Sequence, residues 1–276
     1  MIGAFVIVLR EVIEAGLIVG IVLAATRGVR HRGRWIGVGV AGGLFGACLT
    51  AVFAGAISNA FAGSGQEILN ATVLLLAVCM LAWHNAWMAR HGRELAAQVK
   101  KVGSAVAHGE KPLTALAVVC GVAVLREGSE VVLFLYGIVA SGASGGALLV
   151  GGLLGVVAGA AFTGLTYLGL LAIPPRYIFS ATGVLITFLA AGMAAQAVFF
   201  LNSAGILTIL AERVWDTSAI LSESSLAGLI LRTLIGYSDQ PTAMQLVAYL
   251  ATIVAMFALM RYAAGPHRRR PMVVKG

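Results

Sequence analysis

Two short motifs place an arginine and two glutamates at the same spacing in distant parts of the sequence. They consist of Arg10, Glu11 and Glu14 in the first copy and of Arg126, Glu127 and Glu130 in the second. On a helix, residues three or four positions apart share a face, so each motif would present two carboxylates and a guanidinium together. If the two helices cross, four carboxylates and two arginines meet with a net charge of −2. Such a group attracts a cation and repels anions.

The chemistry of carboxylates narrows the class of cation. Their oxygens are hard ligands that suit ferric iron, manganese, magnesium or calcium. No histidine or cysteine stands beside the motifs, which makes copper and zinc less favoured. We expect Arg10 and Arg126 to orient the carboxylates. The alternative is that both motifs are buried ion pairs that only hold helices together; two copies with excess negative charge favour the cation site.

The surroundings of the motifs indicate a membrane protein. Hydrophobic residues make up 60% of the 276 residues and charged residues 11%, against about 25% charge in soluble domains. Continuous apolar runs of near 20 residues predict spanning helices rather than strands. We predict an all-α integral membrane protein with seven transmembrane helices, at residues 2–26, 35–58, 67–90, 113–140, 146–172, 177–201 and 242–263.

The basic residues set the predicted orientation. Fifteen of the 19 lysines and arginines fall on one side of a seven-span chain. The positive-inside rule then places the N-terminus outside and the C-terminus, with a basic tail at 264–276, in the cytoplasm. The net charge of +8 is therefore interpreted as a topology signal, and no nucleic-acid binding is expected.

An internal repeat divides the predicted single transmembrane domain, residues 1–276. Short matches relate residues 1–90 to residues 113–201 in the same order, at offsets of 116, 109 and 110. A unit of three spans reverses its direction when it repeats, so the two units would be inverted. Residues 202–241 form a loop outside the membrane and residues 242–263 a seventh helix. In transporters with inverted repeats the substrate site lies at the repeat interface near the midplane.

Paired Arg-Glu-x-x-Glu motifs in the first and fourth of seven spans resemble the oxidase-dependent iron transporters. These include the fungal high-affinity ferric permease and the bacterial elemental-iron uptake permease, and segments 215–218 and 236–241 resemble the bacterial branch. The resemblance implies an iron permease rather than an enzyme, with Glu11, Glu14, Glu127 and Glu130 as iron ligands. The glycine that usually follows Arg-Glu in the family is kept as Gly128 but is Val12 in the first copy.

The resemblance also implies a setting and partners. It implies a multi-pass protein of the bacterial plasma (inner) membrane that carries iron, ferric or ferrous with coupled oxidation, and holds no tightly bound cofactor. An extracytoplasmic partner of the haem peroxidase or multicopper oxidase type, or an iron-binding protein, would supply the ion. Lead or manganese transport, or a membrane-embedded carboxylate-metal redox subunit, stay open as alternatives.

Four further residues could lie where ions enter or leave. Glu67 opens the third span, and Asp216 and Glu223 lie in the outer loop. For each of these three a solvated carboxylate is the alternative. His84 lies near the inner end of the third span, where an ordinary interfacial polar side chain is the alternative.

Overall fold

The computed structural model describes residues 1–60, 66–169, 175–223 and 225–263, and its regular secondary structure is helical. Within these ranges no strand forms; Arg213 and Thr242 make one isolated β-bridge. The helices are α1 Ile2–Ala25, α2 Arg32–Ala60, α3 Gln66–Ala107, α4 Thr114–Ala140, α5 Gly145–Tyr167, α6 Pro175–Ser203, α7 Leu226–Ile235 and α8 Ala243–Ala263.

Within the described residues, five segments are long and apolar enough to cross a membrane by length and composition. They are Arg32–Ala56, Gln66–Met88, Gly145–Tyr167, Ala181–Ser203 and Ala243–Tyr262. Helices α1 and α4 are as long, but each carries the three charged residues of a motif. The prediction of an all-helical chain with several apolar spans is confirmed.

Two helices differ in length from the spans predicted for them, although the apolar segment of α3 ends at Met88, two residues before the predicted end at 90. Helix α3 continues 17 residues past the predicted end at 90, because residues 91–107 are rich in helix formers, contain no proline, and bury Val99 and Val106. Helix α5 ends at Tyr167, not 172, because Gly169 takes a φ of 74°, the left-handed conformation that closes helices. The basic tail at 264–276 lies outside the described residues.

Glycines bring α5 against α1 with their backbones nearly touching. A Cβ atom on Gly155 would lie 2.9 Å from the carbonyl oxygen of Phe5 and 2.9 Å from the Cβ of Val8. Real side chains do not approach a backbone that closely, so only glycine fits. Small residues allow this contact, which is a main source of helix association in lipid.

Helices α2 and α4 pack in the same way, with corresponding partners. A Cβ on Gly43 would lie 2.7 Å from the carbonyl oxygen of Gly121 and 2.8 Å from the Cβ of Val124. Gly121 and Val124 are the equivalents of Phe5 and Val8 at the 116-residue offset that relates the two motifs. The α1–α5 and α4–α2 contacts therefore match residue for residue.

The same correspondence explains why the motifs differ at their third position. Gly128 faces Ala47, and a Cβ added to it would lie 2.7 Å from the Ala47 Cβ. In the other pair Val12 faces Gly159, where an added Cβ would lie 2.9 Å from the Val12 Cβ. In the Val12–Gly159 pair the larger residue, Val12, lies on the motif helix, and in the Gly128–Ala47 pair the larger residue, Ala47, lies on the partner helix. The offset between α2 and α5 is thus 112 residues, which differs from the 109 inferred from the sequence.

Two apolar cores lie on either side of the motifs along α1, α3 and α4. The first core surrounds the N-terminal part of α1 and includes Ile7, Leu74, Leu81, Phe134 and Ile138. The second core surrounds the C-terminal part of α1 and includes Ile18, Val22, Leu116, Cys120 and Ala123. The charged residues are therefore enclosed between two apolar layers.

Candidate metal centre

The first motif lies on the buried face of α1, between the two cores. Arg10 Nε donates to Glu14 Oε1 over 2.9 Å, and these residues are 4% and 3% exposed. This is the pair that the four-residue spacing predicts. Glu11 is 1% exposed, and neither of its carboxylate oxygens has a hydrogen-bond partner among the described residues.

The second motif repeats the pairing on α4 in a more open setting. Arg126 Nε lies 3.1 Å from Glu130 Oε1 and 3.9 Å from Glu127 Oε1. The Arg126 side chain is 37% exposed, and its guanidinium carbon stands 4.3 Å from the ring centroid of Trp87. The Trp87 ring covers one face of the Arg126 guanidinium, whereas the guanidinium of Arg10 in the first motif is buried inside the protein.

His84 of α3 reaches into the space between the motifs. Its Nε2 lies 3.3 Å from Glu14 Oε2 and 3.8 Å from Glu11 Oε2, and its Nδ1 contacts the Glu130 carboxylate. His84 is only 2% exposed. The interpretation of His84 as an interfacial residue, and the expectation that no histidine stands beside the motifs, are both wrong.

No rule of sequence spacing could have joined His84 to the motifs, because it belongs to a third helix. Its one sequence signal is its type: it is the only histidine inside any of the predicted spans. A titratable side chain at membrane depth is a functional candidate by default.

Four side chains converge closely enough to share one ion. Glu11, His84, Glu127 and Glu130 each offer a ligand atom, and these four atoms all lie within 4.8 Å of one another. Oxygen or nitrogen ligands sit about 2.0–2.2 Å from a metal, so two of them are at most about 4.4 Å apart. Movements of a few tenths of an ångström would close this set on a cation. Glu14 is not in the set.

The other predicted residues lie outside this cluster. Glu67 is exposed in the first turn of α3. The hydroxyl and backbone N–H of Ser218 donate to Asp216 and hold the pKa of its carboxyl below the usual range. Glu223 pairs with Arg232, with 3.2 Å between Oε2 and Nη1. Asp216 and Glu223 are thus engaged within the segment that joins α6 to α8.

That segment covers two adjoining cavities of about 230 and 490 Å³. Both are lined by Gln196, Glu223 and Arg232, and the smaller one reaches Met1 and Ile138 at the ends of α1 and α4. Both lie on the side of the first core. In the described part of the chain no motif residue lines either cavity, because the first core separates them from the carboxylates.

Comparison with known proteins places this geometry in a family. The sequence model of the iron permease FTR1 family matches residues 1–264. "Ferrous iron permease EfeU" of Shigella sonnei (strain Ss046) and of Escherichia coli O157:H7 are each 32% identical over 262 residues, which cover 92% of this chain and 94% of theirs. The protein of that name from Yersinia pestis is 28% identical over 259 residues, covering 92% and 91%. No solved structure matches the chain significantly.

The matches and the apolar helices together give a consistent assignment. Several spanning helices and bacterial relatives over nearly the whole chain indicate a multi-pass membrane protein. The matched names describe permeases, which are transporters rather than enzymes. The resemblance inferred from the paired motifs is therefore confirmed, and the chain belongs to the iron permease FTR1 family.

Proposed function

We propose that this chain imports iron across the bacterial plasma membrane and that the paired motifs form the cation site in the middle of its path. The observation that carries the proposal is the buried convergence of Glu11, Glu127 and Glu130 from two helices between apolar layers. A charged side chain at the centre of a membrane helix costs about 2.5–3.5 kcal/mol. A passing cation would offset that cost, since the four glutamates outnumber the two arginines.

The proposed topology has seven spans, with α1 and α4 added to the five apolar ones. The matched α1–α5 and α4–α2 contacts support two inverted three-helix repeats. The bias of basic residues supports an N-terminus outside and a C-terminus in the cytoplasm. The cavities beneath the α6–α8 segment would then open to the outside, with Glu223 on the way in.

The proposed transport cycle is an alternating opening of the two cores. The α1–α5 pair and the α2–α4 pair are each locked by glycine contacts, so each can move as a rigid body. Rocking one pair against the other would open the first core towards the cavities or the second core towards the cytoplasm. This is the usual motion of transporters built from inverted repeats.

The proposed cargo is ferrous iron, delivered by an extracytoplasmic partner. The relatives are named as ferrous iron permeases, and a divalent ion would balance the −2 charge of the two motifs when His84 is neutral. An iron-binding protein outside the membrane is the partner that fits a ferrous cargo, whereas a partner of the haem peroxidase or multicopper oxidase type would oxidise the ion and make the cargo ferric. Lead and manganese are the competing cargoes.

Uptake of radiolabelled iron tests this proposal. The host should lack other iron importers, and Glu127→Gln is the informative variant because it removes one charge without changing volume. We expect it to abolish uptake while its amount in the membrane is normal. Glu94→Gln, which alters an exposed carboxylate of α3, is the matched control and should transport at the wild-type rate. Wild-type uptake by the Glu127 variant would contradict the proposal. Addition of excess lead or manganese to the same assay shows whether either ion competes with iron for uptake.

A further inference from the structure

We propose that His84 is a protein ligand of the transported ion, in a set with Glu11, Glu127 and Glu130 from which Glu14 is excluded. The inference rests on the proposed function and gives that site its nitrogen ligand. Helices α1, α3 and α4 would then all hold the ion, and the two motifs would contribute unequally: one carboxylate from α1 and two from α4.

Unsatisfied polar atoms mark the place where the ion would lie. Both ring nitrogens of His84, both carboxylate oxygens of Glu11, and Oε2 of Glu14, of Glu127 and of Glu130 are buried without an aligned hydrogen-bond partner among the described residues. Buried polar groups left without partners are costly, and carboxylates are the most costly of them. All of these atoms except Glu14 Oε2 belong to the four residues whose ligand atoms lie within 4.8 Å of one another. One cation could bind a single ring nitrogen of His84 together with the carboxylate oxygens of Glu11, Glu127 and Glu130, and the other ring nitrogen faces Glu14.

Glu14 has a different task in this arrangement. Its Oε1 accepts the hydrogen bond from Arg10, and its Oε2 faces His84 Nε2 at 3.3 Å. Metal-bound histidines generally present their second ring nitrogen to a carboxylate, which fixes the ring and its tautomer. Glu14 is therefore a positioning residue behind the imidazole. The nitrogen left for the metal is Nδ1, on the side of Glu130.

The imidazole changes which metals the site favours. A site of carboxylates alone suits magnesium, calcium and manganese, whereas imidazole suits iron, nickel, copper and zinc. His84 would therefore allow the site to select a transition-metal ion over magnesium and calcium. Copper and zinc, which the sequence made less favoured, become competitors that must be excluded elsewhere.

Pulsed electron paramagnetic resonance on the purified full chain, with Mn²⁺ as the probe, tests this directly. A nitrogen bonded to Mn²⁺ modulates the electron spin echo, and we expect this modulation in the wild type. It should change when histidine is labelled with ¹⁵N, a comparison that needs no variant. It should disappear in His84→Gln, with Mn²⁺ bound at least about tenfold more weakly. His91→Gln is the matched control: His91 stacks on Trp87 5.1 Å away, and its loss should leave the modulation intact.

The outcomes separate this inference from the function it rests on. Mn²⁺ bound at a site that Glu127→Gln abolishes, yet without nitrogen modulation, would overturn the role of His84 and leave the carboxylate site standing. Modulation that persists in His84→Gln would also overturn it. Mn²⁺ binding unaffected by Glu127→Gln would contradict both the inference and the proposed function.

Discussion

Removing the charge of Glu11 and removing that of Glu14 should change stability in opposite directions. The two glutamates lie three residues apart on α1 and are equally buried, but their surroundings differ. Glu14 is hydrogen-bonded to Arg10 at 2.9 Å. Glu11 has no hydrogen-bond partner among the described residues, and its Oε2 lies 3.8 Å from the His84 ring, beyond hydrogen-bond distance. Glutamine has nearly the same volume, so packing is kept in both variants.

The size of each effect follows from these contacts. Breaking a buried ion pair by removing one partner costs about 3–5 kcal/mol, because the other charge stays buried. At about 2 °C per kcal/mol for a chain of this size, Glu14→Gln should lower Tm by about 6–10 °C. Glu11→Gln removes a buried charge that lacks a partner, which costs about 1–3 kcal/mol to keep. Its Tm should rise by about 2–6 °C.

Thermal unfolding of the purified protein in detergent, with metal removed and then restored, measures both effects. A ligand at a hundred times its Kd stabilises a protein by about 2.7 kcal/mol, so Fe²⁺ should raise the Tm of the wild type and of Glu14→Gln. It should not raise that of Glu11→Gln. Equal destabilisation of the metal-free protein by both variants would refute the contrast drawn between the paired and the unpaired carboxylate.

Two further predictions concern packing and orientation. Gly155→Val should destabilise the protein by about 1–3 kcal/mol, seen as a lower Tm, since the new Cβ would meet the carbonyl of Phe5. Gly152→Val, at an open position of α5, is its control, and equal stability of the two would contradict the close α1–α5 contact. Arg10→Lys should slow iron uptake, because an ammonium lacks the planar fork that orients a carboxylate; wild-type uptake kinetics would remove that role.

The parts of the site set by helical periodicity could be predicted from the sequence. Residues four apart must share a helix face, so the pairing of Arg10 with Glu14 and of Arg126 with Glu130 follows from local geometry. The convergence of the two motifs could be predicted from the free-energy cost of charged side chains at membrane depth, because such side chains must face each other or water. The contact of Arg126 with Trp87 could not be predicted in this way, since Trp87 belongs to another helix.

The parts set by contacts between distant helices could not be predicted. His84 joins the cluster because of how α3 is rotated and how far along the membrane it lies, and no local pattern fixes either. The exchange of a large and a small residue between Val12–Gly159 and Gly128–Ala47 reads as an exception in the sequence. Comparison of the two helix pairs explains it, because each pair places one glycine opposite one larger residue.

The most direct test of the account is a crystal of the protein grown with iron and measured at the iron absorption edge. We predict an anomalous peak between α1 and α4, within about 2.2 Å of carboxylate oxygens of Glu11 and Glu127. A map in which Arg10 and Arg126 cap all four carboxylates, and in which iron appears only at the protein surface, would contradict it.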